Sequence, residues 1–309
     1  MNRDAVAPDN AGPKPLDDEI DAYGLTHIGK VREVNMDHFL LCSLHRQVVL
    51  HQTSLPDVDE LPLRGERLAF LAMVADGVGS NAKGEEASRL AIQQATQYVA
   101  GALKCYYTAD ATGESFIQDL QKTALESHRV VVERAAAHPD LEGMATTLTV
   151  FFGVWPWVYV LQVGDSRYYI YTDGELTQVT RDQTMAQDLV DDGVLTRSIA
   201  AGSPLAHVLS SAIGGEEAIP VVSRIPSDRQ RVHLMCSDGL TKHVSDERIR
   251  ERLASMTSAR QACEALLQDA LDDGGTDNIT IIVGRIVGKM GGDRQGLAST
   301  RKDAVSAAS

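Results

Sequence analysis

Met73-Val74-Ala75-Asp76-Gly77-Val78-Gly79-Ser80 closes an apolar run over residues 68–75. Such a run, uninterrupted by charge, reads as a buried strand. The strand stops on a carboxylate followed by Gly-Val-Gly. A carboxylate there rides on a rigid element yet faces the opening of a site. Gly77 lets the backbone come close enough to a ligand for its carbonyl to reach a metal. Taken alone, the pattern is better read as a strand entering an ordinary Asp-Gly turn.

The pattern recurs. Residues 158–163 run into Gly164-Asp165-Ser166-Arg167, and residues 232–236 run into Ser237-Asp238-Gly239. Gly274-Gly275-Thr276-Asp277-Asn278 sets a further aspartate just ahead of the apolar run 279–283. Turn chemistry does not account for four strand-edge aspartates. If the strands lie side by side, the carboxylates converge and repel one another unless a cation compensates. Oxygen donors without a His or Cys cluster favour Mg²⁺ or Mn²⁺ over zinc.

The chain of 309 residues is 43% hydrophobic and 23% charged, an ordinary globular composition. Its formal net charge of -14 disfavours non-specific nucleic-acid binding. Cys42, Cys105, Cys236 and Cys263 lack CxxC spacing, which fits free thiols in a reducing compartment. No apolar run reaches membrane-spanning length and no basic-then-apolar leader is present, so the expectation is a cytosolic protein with no membrane contact. No oligomerisation heptad is visible, and a monomer is expected.

Residues 1–22 read as a flexible lead, 23–287 as one folded domain, and 288–309 as a flexible tail. Residues 26–32 are strand or loop, 37–44 a strand, 46–50 its hairpin partner, and 52–67 a Pro- and acid-rich excursion. Apolar spacing over 84–103 and 114–138 predicts an antiparallel pair of amphipathic helices, the second stopped before Pro139. A meander follows at 146–154, 157–163 and 167–171, with Asp173-Gly174 as the turn into 176–180. A short helix at 185–190 stops at Gly193, and 196–217 is an irregular flap. Strands at 221–225 and 232–236 lead to a helix at 245–253. The capping box Ser258-x-x-Gln261 opens the next helix, which ends at Gly274-Gly275 before a closing strand at 280–286. Hairpins with helices bunched in pairs give an α+β fold, two packed antiparallel sheets flanked by helices.

In this order the motifs resemble the metal-dependent protein phosphatase 2C-type Ser/Thr phosphatases in their compact bacterial form. The matches are Gly29-x-x-Arg32-x-x-Asn35-x-Asp37, Val74-Ala75-Asp76-Gly77-Val78-Gly79, Met144-Ala145-Thr146-Thr147 and Val163-Gly164-Asp165-Ser166-Arg167. They continue through Leu189-Val190 with Gly193-x-Leu195-Thr196, Val208-Leu209-Ser210-x-Ala212-Ile213-Gly214, Cys236-Ser237-Asp238-Gly239-Leu240-Thr241 and Gly275-Thr276-Asp277-Asn278-Ile279-Thr280. The resemblance implies a four-layer α-β-β-α sandwich that hydrolyses phosphoserine and phosphothreonine in proteins, with a metal-bridging water attacking phosphorus directly. It implies that Asp76 bridges two Mn²⁺ or Mg²⁺ ions, with the Gly77 carbonyl on one and Asp238 and Asp277 on the other. Asp37 belongs to the same metal set, Asp165 with Asp238 would take a third, weaker ion, and Arg32 would grip the substrate phosphate. Partners would be phosphoproteins, including a cognate Ser/Thr kinase or its substrates.

Three departures stand out. Met36 replaces the Glu that usually precedes Asp37 and serves the water shell of one metal. Val78 stands where animal members carry a His proposed as general acid. Asp182-Gln183-Thr184 replaces the flap's Asp-His-Ser, which is expected to bear on substrate handling more than on metal. The rival readings are a catalytically weakened regulatory module of the same fold that binds a phosphoprotein, and a hydrolase of small phosphoesters. Cys236 lacks a Cys-x5-Arg phosphate loop and reads as a buried structural thiol. The histidines show no metal-ligand spacing, Gly84-Glu85-Glu86 reads as a helix start, and Trp155-Pro156-Trp157 reads as a hairpin tip or a partner contact.

Overall fold

A computed structural model describes residues 12–47, 64–79, 81–102 and 113–288. Two five-stranded antiparallel sheets face each other. The first has the order β1 (Ile20–His27), β12 (Ile279–Ile286), β11 (Val232–Cys236), β8 (Arg167–Thr172) and β9 (Glu175–Gln178). The second runs β10 (Val221–Pro226), β7 (Trp157–Val163), β6 (Leu148–Val154), β3 (Arg64–Ala75) and β2 (His38–Gln47). A short ladder joins β4 (Gly77–Val78) to β5 (Ala145–Thr146). Helices α1 (Asn81–Ala102) and α2 (Gly113–Ala137) cover the second sheet, and α6 (Asp246–Ala254) and α7 (Ala259–Asp272) cover the first. The flap carries α3 (Met185–Asp191) and α4 (Arg197–Ala201), and α5 (Asp238–Thr241) follows β11. The four-layer α-β-β-α sandwich read from the motifs is the observed fold.

The apolar runs are continuous because both faces of each central strand are covered. Leu71, Met73 and Ala75 of β3 face α1 and α2, while Ala72 and Val74 face the other sheet. In β12, Ile279, Ile281 and Val283 meet α7, while Ile282 meets the opposite sheet. Burial on both faces hides the period-2 pattern that a half-exposed strand would show.

Several boundaries differ from expectation. β1 begins at Ile20, inside the expected lead, because it pairs with β12 along its full length, from Ile20 opposite Ile286 to His27 opposite Ile279. Arg67 ties still earlier residues down, through an ion pair to Asp17 (2.5 Å) and a hydrogen bond to the Pro15 carbonyl (2.6 Å). Arg46 and Gln47 continue β2 rather than turning back. The partner of β2 is β3, which starts at Arg64 because ladder pairing carries a charged segment beyond the apolar core. Residues 1–11, 48–63, 103–112 with Cys105, and 289–309 lie outside the described residues, so most of the 52–67 excursion and the tail do as well. The flap is not wholly irregular: Gly202 ends α4, and Ser203 caps a short 3-10 turn at Pro204–His207. Helix α1 starts at Asn81, and Gly84 lies inside it, where a Cβ would come within 2.9 Å of Gly77 backbone and 2.7 Å of the Met36 sulfur. Ser258 caps α7, but Gln261 reaches back to the Thr257 N–H rather than to that of the cap residue. Glu86 links α1 to α2 through Arg134. The Trp155–Pro156 bond at the β6–β7 tip is cis, and Arg224 sits 3.8 Å over the Trp157 ring.

All strand ends bearing the motif aspartates point to one end of the sandwich. At the other end a cavity of about 100 Å³ opens between the sheets, lined by Phe70, Trp157, Tyr168, His233 and Ile286. No helix among the described residues is long and apolar enough to cross a membrane.

His233 sits in this inter-sheet layer, its Nδ1 2.6 Å from the Tyr168 hydroxyl and its ring 5.3 Å from that of Phe151. Burial, reinforced by Arg231, pushes its imidazole down to about 4. The unfolded chain therefore binds a proton that the native chain refuses between about pH 6.5 and 4. Stability from this group is full above pH 6.5 and is lost as pH falls through that window. The wild-type minus His233→Gln difference in unfolding free energy should shrink by up to about 3 kcal/mol from pH 7 to pH 4. Denaturant titrations at several pH values measure it.

Candidate metal-binding site

Asp37 immediately precedes β2, Asp76 follows β3, Asp165 lies in the β7–β8 turn, Asp238 follows β11, and Asp277 precedes β12. Because His38 pairs with Ala75, and Cys236 pairs with both Arg167 and Ile281, these positions are neighbours at one sandwich edge. The charges register each other. Burial raises the Asp76 carboxyl well above the usual range, and the negative charges of Asp37, Asp238, Asp165 and Asp277 raise it further. Burial likewise pushes Asp165 up to about 7, with Asp238 adding to it. Asp37 is pushed up to about 6 by burial, against the opposing hydrogen bonds from Ser237 and Thr280.

The flanking motif residues hold the carboxylates in place. The Asp76 carbonyl accepts from the Thr147 N–H (2.9 Å) and the Thr146 hydroxyl (2.8 Å), and the Asp76 N–H donates to Thr147 Oγ1 (2.9 Å). Thr147 Oγ1 also meets Ser166 Oγ at 2.7 Å, so one threonine pair joins the Asp76 turn to the Asp165 turn. Asp37 Oδ2 accepts from Ser237 Oγ and Thr280 Oγ1, each at 2.7 Å. Asn278 is a hub that sequence reading did not single out. Its Nδ2 donates to the carbonyls of Ile28 (2.9 Å) and Val34 (3.0 Å), and its Oδ1 accepts from the Met36 N–H (2.9 Å). The first motif is thereby fastened to the Asp277 loop. Gly29, at φ +83°, leans so close that a Cβ would fall 2.2 Å from the Asp277 carbonyl oxygen.

Arg32, 42% exposed, grips Asp277 with Nε at 2.7 Å and Nη2 at 3.0 Å. Lys242, also missed from the sequence, places Nζ 2.6 Å from both Asp238 Oδ2 and Asp277 Oδ2. The signal was present: Asp238 and Lys242 are four apart, the spacing that joins side chains across one helical turn. These two cations pull the Asp277 carboxyl down in spite of its burial. Two oxygens remain buried without any hydrogen-bond partner, Asp37 Oδ1 and Asp238 Oδ1. An orphaned carboxylate oxygen is costly unless something positive meets it. Among the described residues no three His, Cys, Asp or Glu side chains are gathered closely enough to hold a metal ion. Arg32 and Lys242 stand among the carboxylates instead. The all-oxygen donor set and its two orphaned atoms suit a hard divalent cation.

Met36 is 4% exposed, packed against Gly84 at the start of α1. Gln183 is a strut: its Oε1 accepts from the Gly164 N–H (2.7 Å) and its Nε2 donates to the Ile219 carbonyl (2.8 Å). That holds the backbone of Gly164, the residue before Asp165, against the Ile219 segment. Arg167 pairs with Asp182 at 2.7 Å beside it. Val78 is 40% exposed. Cys236 is fully buried, and burial pushes its thiol up to about 12, which leaves it a protonated packing residue. Among the described residues, Cys42, Cys236 and Cys263 are free thiols.

A carboxylate-lined edge of an α-β-β-α sandwich defines a class of proteins built to gather hard cations. A family model described as protein phosphatase 2C matches residues 52–273. The serine/threonine protein phosphatase PstP of Mycobacterium tuberculosis is 35% identical over 219 residues, 71% of this chain and 41% of that protein. The chain thus spans less than half the length of this curated relative. The serine/threonine phosphatase stp of Listeria innocua is 31% identical over 214 residues, 69% of this chain and 83% of that protein. A crystal structure of the catalytic domain of PstP in complex with two manganese ions superposes with a TM-score of 0.66 at 29% identity, covering 87% of this chain and 99% of that one. The chain belongs to the protein phosphatase 2C family.

Asn278→Ala would remove the hydrogen bonds to two part-buried carbonyls and one buried N–H. A stability loss of about 2–4 kcal/mol is expected. Thermal unfolding of the metal-free chain checks it, with faster amide exchange at Met36 as the local signature.

Proposed function

We propose that this chain is a metal-dependent protein phosphatase that hydrolyses phosphoserine and phosphothreonine. The observation that carries the reading is the convergence of Asp37, Asp76, Asp165, Asp238 and Asp277 on one edge, with two of their oxygens buried and unpaired. Asp37, Asp76, the Gly77 carbonyl, Asp238 and Asp277 would hold two Mn²⁺ or Mg²⁺ ions, and Asp165 with Asp238 a third, weaker one. Bound there, such ions would lower the pKa of a water and offset the charge of a phosphoryl group. The relative bound to two manganese ions supports this choice of metal, and the names of the curated relatives support phosphoproteins as substrates.

The chain's own residues fit these tasks. Arg32 is exposed, and the guanidinium N–H groups not spent on Asp277 would donate to a phosphate, a recognition its planar fork suits better than an ammonium would. Val78 has no proton to give, so this side chain does not protonate the leaving group. The Cys236 thiol, pushed up to about 12, is not a nucleophile, so the reading contains no phosphoenzyme at this residue. Substrates would be phosphoproteins, among them a cognate Ser/Thr kinase or its targets.

Met36 favours a second reading, a catalytically weakened module that binds phosphoproteins. A buried thioether stands where the family's acidic residue would serve a metal's water shell.

Hydrolysis of p-nitrophenyl phosphate and of a phosphothreonine peptide should require Mn²⁺, stop with EDTA, and fall at least about a hundredfold in Asp76→Asn. Mn²⁺-bound protein without turnover would favour the regulatory reading. Full activity in Asp76→Asn would remove the site assignment. Met36→Glu puts a carboxylate into a buried position, so the metal-free variant should unfold at a lower temperature while binding Mn²⁺ more tightly. Scanning fluorimetry and calorimetric Mn²⁺ titration together check that pair of changes.

A further inference from the structure

Asp277 has no free oxygen. Its Oδ1 takes Arg32 Nε (2.7 Å) and the Asn278 N–H (2.9 Å), and its Oδ2 takes Arg32 Nη2 (3.0 Å) and Lys242 Nζ (2.6 Å). Asp238 has one oxygen on Lys242 at 2.6 Å and the other buried without a partner. A single ammonium thus bridges the two carboxylates assigned above to one divalent ion. The Lys242 backbone is fixed by its N–H to the Asp238 carbonyl (2.8 Å), but its charge sits on a four-carbon stem and its side chain is 25% exposed. It can withdraw to solvent without moving α5. Its positive charge also reaches Asp165, whose carboxyl it pulls down against burial.

We propose that Lys242 is a built-in cation of this site. In the metal-free chain its ammonium stands in for a divalent ion between Asp238 and Asp277 and offsets their repulsion. A metal entering there must displace it, because an ammonium and a divalent ion on the same two carboxylates would repel each other. Lys242 therefore lowers metal affinity on this side of the site and stabilises the fold when metal is scarce. It links occupancy to metal concentration, so the site fills only when divalent ion outcompetes a tethered charge. The inference rests on the assignment of Asp238 and Asp277 to a metal.

The test uses the full chain and reads metal binding rather than turnover. Calorimetric Mn²⁺ titration of Lys242→Gln should show about tenfold tighter binding than wild type. The metal-free variant should unfold several degrees lower, a deficit that Mn²⁺ removes. Lys242→Arg, which keeps the charge, should stay close to wild type. In the wild-type chain, acetylation of the Lys242 amine by an amine-reactive ester, read by mass spectrometry, should be slow without metal and rise when Mn²⁺ saturates the site. That measurement needs no variant to fold. Wild-type chain that binds Mn²⁺, with an unchanged isotherm in Lys242→Gln or with acetylation unaffected by Mn²⁺, overturns the role of Lys242 alone. Wild-type chain that binds no Mn²⁺ overturns the metal assignment itself.

Discussion

Carboxylate repulsion is the constraint around which the rest is arranged. Five aspartates meet at one edge of the sandwich, and the charges of Asp37, Asp165, Asp238 and Asp277 all add to the cost of ionising Asp76. No compact fold keeps such a group together without stiff support and positive charge. Both are present. The support comes from strand ends fixed by ladders on either side, and the charge from Arg32 and Lys242. The two sheets are covered on both faces, so the strands have little freedom to splay and relieve the repulsion.

The loops at this edge do more than carry ligands. Thr146 and Thr147 grip the backbone of Asp76, and Thr147 passes the connection to Ser166 beside Asp165. Asn278 binds the first motif to the last. Glycines allow the close approach: at Gly239 a Cβ would lie 1.9 Å from the Asn278 carbonyl oxygen, and at Gly77 it would lie 2.2 Å from that of Gly84. Apart from the Gly77–Gly84 approach, these contacts run between segments well separated in the chain. The geometry of the edge is therefore a property of the whole sandwich rather than of any one loop. A charge-stressed cluster of this kind is suited to receiving cations, because binding relieves a cost the fold already carries.

What could be read from the sequence follows from where the signal is local. Asp76, Asp165, Asp238 and Asp277 were visible because a charge at the edge of an apolar run is conspicuous. Asp37 stood out only through the family's motif order, since its strand reads much like other strands. Most strands and both long helices fell within a few residues of expectation, because their apolar residues are contiguous or helically spaced. β1 did not, because its register comes from pairing with β12 rather than from its own hydropathy. The start of β3 was hidden for the same reason. Asn278 was missed because its contacts lie more than 240 residues away along the chain, whereas Lys242 carried a local signal in its spacing from Asp238 and only its bond to Asp277 was hidden, 35 residues away. The two hydrogen bonds that tie Gln183 to Gly164 and Ile219 were likewise invisible in the sequence, because they join separate segments.

The central claim is that this edge gathers divalent metal. Diffraction from crystals of the full chain grown with Mn²⁺, collected at the manganese absorption edge, tests it most directly. The account predicts anomalous peaks among Asp37, Asp76, Asp238 and Asp277. Well-ordered crystals whose anomalous peaks lie elsewhere, with this edge empty, would contradict it.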